Sequence, residues 1–166
     1  MLKEAKKIHC IGIGGIGVSA LAALWRAQGK EVSGSDADTG GHRAENVNDV
    51  DVVVYSDAVP DDNVERIEAR RRGIPEMSYA QALGQVSREY KTIVVTGTHG
   101  KSTTTAMLGL ILEAAGLDPL VLVGSKVPGW PLGNLRLPNV PPPQSSPTRG
   151  EEVKRNSPPL VGGVRG

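Results

Sequence analysis

Phenylalanine is absent from this 166-residue chain, and tyrosine and tryptophan together are scarce. A core has to be built from Val, Ile, Leu and Ala, which suits parallel strands covered by helices. A single cysteine excludes an internal disulfide. Cys10 falls within a predicted strand and reads as a small buried apolar side chain rather than a nucleophile. No uninterrupted apolar run approaches the roughly twenty residues that span a membrane. A formal net charge of +1 implies neither a nucleic-acid surface nor a strongly acidic partner. Internal repeats and His/Cys clusters at metal-ligand spacing are likewise missing. Lys3, Lys6 and Lys7 precede an apolar run in the manner of a secretory leader, but Gly12, Gly14, Gly15 and Gly17 make that run a poor hydrophobic helix. A cytoplasmic protein is expected.

What is present is glycine at two phosphate-type spacings. Lys7-Ile8-His9-Cys10-Ile11 reads as a strand, Gly12-Ile13-Gly14-Gly15-Ile16-Gly17 as Gly-x-Gly-x-x-Gly, and Val18 to Leu24 as a helix. Gly12 permits the tight turn, Gly14 lets backbone approach a diphosphate, and Gly17 allows close packing of helix on strand. Asp36 ends a second predicted strand, Glu31–Ser35, near where an acidic residue usually meets a ribose diol.

The second run is Thr92-Ile93-Val94-Val95-Thr96-Gly97-Thr98-His99-Gly100-Lys101-Ser102-Thr103. It reads as a buried strand, a glycine turn and a helix that carries the stripe Met107-Leu108…Ile111-Leu112. Backbone N–H groups of such a turn converge on phosphate oxygens. Lys101 adds a mobile positive charge, and the Ser102 hydroxyl can meet a phosphate-bound Mg²⁺. The spacing Gly-x-x-Gly-Lys-Ser is two residues shorter than the commonest phosphate loop. His99 suits either a space-filling or a ligand-contacting role.

This order of motifs resembles the Mur ligases of peptidoglycan synthesis. The resemblance rests on His9–Gly17, Val32–Asp36 and Thr96–Thr104, and runs to Gly133-Asn134-Leu135-Arg136. Within the family the wording is most like the members that add L-alanine to UDP-N-acetylmuramate. Members that recycle a tripeptide onto the same sugar nucleotide share the histidine-bearing loop. The resemblance implies that Gly12, Gly14, Gly15, Ile16 and Gly17 hold the UDP diphosphate. Asp36 and the segment from Ser56 to Pro60 would lie near the uridine. ATP would then bind Gly97, Thr98, His99, Gly100, Lys101, Ser102 and Thr103, with Lys101 the catalytic charge and Ser102 the Mg²⁺ ligand. Phosphoryl transfer needs positioning and charge neutralisation more than covalent chemistry, and these residues can provide both. A nicotinamide-dependent oxidoreductase would use the first loop but has no use for the second. A non-catalytic nucleotide-binding remnant is the other rival.

Two departures from the family pattern stand out. Between Asp36 and the strand Val50–Tyr55 there are too few residues for the helix and strand that the family places there. Gly41–Val47 looks like the piece just after the missing strand. Either the sheet is one strand and one helix short, or a tight loop leaves an apolar face poorly covered. After Leu137 seven of the chain's twelve prolines follow, so residues 138–166 are expected to be disordered or polyproline-like. The family's acidic, metal-coordinating strand does not follow Leu137, so a shortened form unable to complete ligation by itself is expected.

Elsewhere, Asp61–Gly73 carries acids first, arginines last and a closing glycine, the marks of a solvated helix. Ser78-x-x-Gln81 has capping-box form and opens a helix to about Glu89. The expected fold is α/β: a shortened Rossmann-like UDP-binding domain over 1–90, the start of a P-loop ATPase domain over 91–137, and a proline-rich tail over 138–166.

Overall fold

The computed structural model describes residues 2–38 and 41–139. Its centre is a four-stranded, all-parallel sheet in the order β2-β1-β3-β4, made of β1 (Lys7–Ile11), β2 (Glu31–Ser35), β3 (Val52–Tyr55) and β4 (Glu76–Ser78). Side chains alternate across a strand, so the Val-rich β3 serves two cores at once. Ile8, Cys10, Val52 and Val54 face α1 (Ile16–Ala27) and α3 (Tyr79–Ser87) in a cluster that buries Leu21, Leu24 and Trp25. Ile11 and Val53 face the other way, where a 3-10 helix (Ala44–Val47) and α2 (Val64–Arg71) supply Val47 and Ala69. The Rossmann-like α/β expectation holds for this layer. Cys10 is fully buried, and burial pushes its thiol up to about 12, which removes it as a nucleophile.

Among the described residues the short link after Asp36 carries the 3-10 helix and no extra strand, so the sheet is one strand and one helix short. Val47 is wholly buried beneath it. A polar hub replaces the missing apolar cover. Glu65, in the first turn of α2, is fully buried and accepts hydrogen bonds from Ser35 Oγ (2.5 Å), Asn46 Nδ2 (2.5 Å) and the Arg43 amide (3.4 Å). His42 Nδ1 lies 3.1 Å and His9 Nε2 3.5 Å from its carboxylate. Burial pushes the Glu65 carboxyl up, but the nearby His9 ring and hydrogen bonds from Ser35, Asn46 and His42 outweigh this and hold it at about 2.

Helix α2 is capped by Asn63, whose side chain accepts from the Glu65 and Arg66 amides, and Gly73 closes it at φ +68°. Arg71 and Arg72 pair with Glu68 at the solvated end, as the charge pattern predicts. Ser78 and Gln81 form both halves of the capping box that opens α3.

One predicted element is absent. Thr92–Thr96 is not a strand and is largely exposed, with Ile93 and Val94 open to solvent. Its continuous apolar run suits a buried strand, but a strand exists only where a neighbour takes up its backbone groups, and none of the described strands lies beside it. The helix beyond it, α4 (Lys101–Ala114), forms as expected, though Met107, Leu110 and Ile111 remain exposed. Gly109 of α4 sits on Val121, where a methyl group would come within 2.9 Å of the valine side chain. Val121–Leu122 (β5) pairs antiparallel with Leu135–Arg136 (β6). Leu135 is buried in the same cluster as α1, so this hairpin packs on the main core. Of the proline-rich tail, Pro138 and Asn139 are described, and the Asn139 amide donates to Asp118. The rest of the expected disordered segment, 140–166, lies outside the described residues.

Candidate functional site

In an open parallel sheet, ligands bind outside the carboxyl ends of the strands, where the strand order reverses. Here that point lies between β1 and β3, because the chain passes from β1 to β2 on one side and returns to β3 on the other. The glycine loop leaves the end of β1, and Ser56 leaves the end of β3. The two are in contact: a methyl group on Gly12 would stand 2.9 Å from Ser56 Cβ, and Gly12 has φ +80°. The Ser35 carbonyl accepts from the Gly12 (2.8 Å) and Ile13 (3.1 Å) amides, which fixes the loop to the end of β2. Asp36 Oδ2 accepts from the Gly14 amide at 2.9 Å, so the carboxylate braces the loop itself.

At Gly17 the α1 backbone meets the Tyr79 ring, which a methyl group would approach within 2.8 Å. The opposite wall, Ser56–Pro60, is held by Arg66. This side chain is buried, stacks over Tyr55 at 3.7 Å and donates to the Val59 carbonyl at 3.2 Å. Neither Tyr79 nor Arg66 was legible as a site residue, since each acts through a neighbour that only the fold brings against it.

The second loop runs from Gly97 to the first turn of α4. Gly97 and Gly100 have φ +145° and +77°, and Gly100 is the N-cap. Lys101 Nζ folds back onto the Gly97 and Thr98 carbonyls at 2.5 and 3.1 Å. Among the described residues Lys101 pairs with no carboxylate, so its charge is uncompensated. His99 Nδ1 meets only the adjacent Thr98 hydroxyl, 3.2 Å away. Ser102 lies under the start of the hairpin loop, with a methyl group at Gly124 standing 4.0 Å from its Oγ. Thr103 lies exposed in the same helical turn. Around this loop no group of three or more His, Cys, Asp or Glu is placed to hold a metal among the described residues.

The helix starts form a contrast. Helices α2 and α3 begin with side-chain caps on Asn63 and Ser78, whereas α1 and α4 begin at Gly15 and Gly100 with none. The first N–H groups of a helix have no intrahelical partner, and an uncapped start leaves them, with the positive end of the helix dipole, for an anion.

A parallel sheet covered on both faces, with a glycine loop at its switch point, is the architecture of nucleotide-binding α/β proteins. The pattern described as "Mur ligase family, catalytic domain" matches residues 7–91, and the chain belongs to that family. Among curated relatives it is 44% identical over 139 residues to the UDP-N-acetylmuramate--L-alanine ligase of Dictyoglomus turgidum, covering 75% of this chain and 30% of the relative. It is 45% identical over 134 residues to the same-named protein of Gloeobacter violaceus, covering 72% and 29%. Among solved structures, the UDP-N-acetylmuramate-alanine ligase of Thermotoga maritima superposes with a TM-score of 0.74 at 35% identity, over 81% of this chain and 35% of that one. The UDP-N-acetylmuramate:L-alanyl-gamma-D-glutamyl-meso-diaminopimelate ligase of Neisseria meningitides gives 0.71 at 32% identity, over 82% and 48%. The chain thus spans about 30% of the length of the curated relatives it matches. No helix among the described residues is long and apolar enough to cross a membrane.

Proposed function

We propose that this chain is the nucleotide-binding part of a cytoplasmic, ATP-dependent ligase that joins L-alanine to UDP-N-acetylmuramate in peptidoglycan synthesis. The observation that carries the reading is the pair of uncapped, glycine-started helices α1 and α4, set against the capped α2 and α3. Two anion seats in one chain fit two nucleotides. The L-alanine ligase names of the relatives favour that reaction over transfer of a tripeptide.

In this reading residues 1–90 hold UDP, 91–137 open the ATPase domain and 138–166 form a tail. Gly14, Gly15, Ile16 and Gly17 would line the UDP diphosphate, Ile16 and Gly17 through their amides, since the Gly14 and Gly15 amides already donate to Asp36 and to the Gly12 carbonyl, while Asp36 and Ser56 border the uridine side of the crevice. The uncapped start of α4 and the unpaired charge of Lys101 fit a nucleoside triphosphate, which Gly97 to Thr103 would hold. ATP supplies the phosphoryl group that activates the muramate carboxylate for attack by the amine of alanine. Ser102 offers one hydroxyl for Mg²⁺, whose remaining ligands would come from the nucleotide's phosphates and water. Lys101 neutralises phosphate charge, and the loop amides fix its direction.

Loss of one charge-assisted contact to phosphate costs about 1.5 to 3 kcal/mol, so Lys101→Ala should weaken ATP binding roughly tenfold to a hundredfold. Calorimetric titration checks this, and equal curves for parent and variant sink the ATP assignment. At the first loop, UDP-N-acetylmuramate should displace a fluorescent uridine nucleotide and NAD should not. Displacement by NAD alone would return the loop to a dehydrogenase.

A further inference from the structure

Asn134, in the last segment of the family resemblance, Gly133–Arg136, precedes β6 and is buried. Its side-chain Nδ2 donates to the Ile16 carbonyl at 2.7 Å, across 118 residues of sequence. The same Nδ2 reaches the Val123 carbonyl at 3.4 Å, and the Asn134 carbonyl accepts from the Val123 amide at 2.9 Å. Ile16 is the first residue of α1, in the turn that the first phosphate loop opens. Val123 leads directly into Gly124, whose backbone approaches Ser102 in the first turn of α4. The seat of Gly109 on Val121 holds α4 against this same hairpin. One buried amide therefore ties the first residue of α1 to Val123, one peptide step from Gly124, where a methyl group would stand 4.0 Å from Ser102 Oγ at the start of α4.

We propose that Asn134 is a positioning residue that couples the two phosphate loops, so that a nucleoside diphosphate bound at the first raises the affinity of the second for ATP. The proposal rests on the reading of both loops as nucleotide sites. An anion at the start of α1 orders that turn, and the Ile16–Asn134–Val123 connection passes the order to Gly124 and Ser102. The second ligand then has less slack to remove on binding, which is positive cooperativity. Leu135 packs the hairpin into the core shared with α1, but among the described residues Asn134 supplies its hydrogen bond to α1; Arg136 ties the far end to the Pro119 carbonyl and to Glu113 and Asp118.

The test uses the full 166-residue chain, with Mg-ATP titrated calorimetrically in the absence and presence of saturating UDP. UDP should tighten ATP binding at least fivefold in the parent and in Arg136→Ala. It should change it less than twofold in Asn134→Ala and in Asn134→Asp, whose carboxylate oxygens cannot donate to the two carbonyls. An unchanged or weakened ATP affinity with UDP in the parent overturns the proposal, the weakened case showing that UDP competes at the second loop. Retained coupling in the Asn134 variants overturns it too. So does loss in Arg136→Ala, which would trace the effect to the stability of the hairpin. A parent that binds neither nucleotide refutes the functional reading instead. The bond is then judged without ligand, by hydrogen exchange at the Thr104 amide, which donates to the Gly100 carbonyl in the first turn of α4. Exchange there should be at least tenfold faster in Asn134→Ala than in the parent, with α2 unaltered, and equal rates overturn the inferred link.

Discussion

Glu65→Ala should lower the unfolding free energy by about 3 to 5 kcal/mol, the range for removing one partner from a buried charged cluster. Glu65 joins four parts of the fold: β1 through His9, the end of β2 through Ser35, the short crossover through His42, Arg43 and Asn46, and α2 on which it stands. Truncation strands several buried donors at once, and a stranded donor costs more than its bond contributes. Urea denaturation reads the loss. A cost below about 1 kcal/mol would mean that water fills the site and satisfies the donors.

The acid limb gives an independent check on the same residue. Its carboxyl is held at about 2, against an ordinary value of 4.5, so the folded state binds the proton more weakly than the unfolded chain. The stabilisation is complete above 4.5 and disappears as pH falls through that value towards about 2. A displacement of this size is worth about 3 kcal/mol. Glu65→Gln, which keeps the shape but cannot ionise, should flatten stability against pH across that window. An unaltered acid limb would place the sensitive carboxylate elsewhere.

What could be read from sequence was what is decided locally. The first glycine loop, the strand that Asp36 follows, the Ser78–Gln81 box and the end of α2 each depend on a few adjacent residues. Glu65 was legible only as an acid in the first turn of a helix, because its burial follows from the abbreviated crossover that brings His42 and Asn46 over it. Asn134 belonged to a recognisable family segment, but its partner Ile16 is fixed by packing between elements far apart in the chain. Thr92–Thr96 shows the opposite failure. Its pattern is that of a buried strand, yet burial is conferred by neighbours, and the described residues provide none. The direct bond between Asp36 and the Gly14 amide makes the acid a brace for the first loop, a role its spacing did not announce.

Gly12→Ala should be the most damaging single-methyl change in the crevice, and Gly29→Ala supplies its control. The two glycines have nearly the same backbone, φ +80° and +81°. A side chain in that region costs about 1 to 2 kcal/mol at either position. Their surroundings differ. Nothing lies within 4 Å of a methyl group at Gly29, whereas at Gly12 the methyl would meet Ser56 Cβ at 2.9 Å and Val59 at 3.4 Å. Ser56 cannot easily retreat, because its amide donates to the Ile11 carbonyl and its own carbonyl accepts from Val59. Forcing the walls apart adds about 1 to 3 kcal/mol, so Gly12→Ala should cost roughly twice what Gly29→Ala does. The difference between the variants in urea melts isolates the close approach of the β1 loop to the β3 loop from the conformational strain they share. Because the same displacement moves the Gly12 and Ile13 amides off the Ser35 carbonyl and the Gly14 amide off Asp36, Gly12→Ala should also abolish UDP binding while Gly29→Ala leaves it intact. Equal stability costs and equal UDP affinities would show that the loops part freely, and that the switch-point crevice is not the rigid seat its contacts describe.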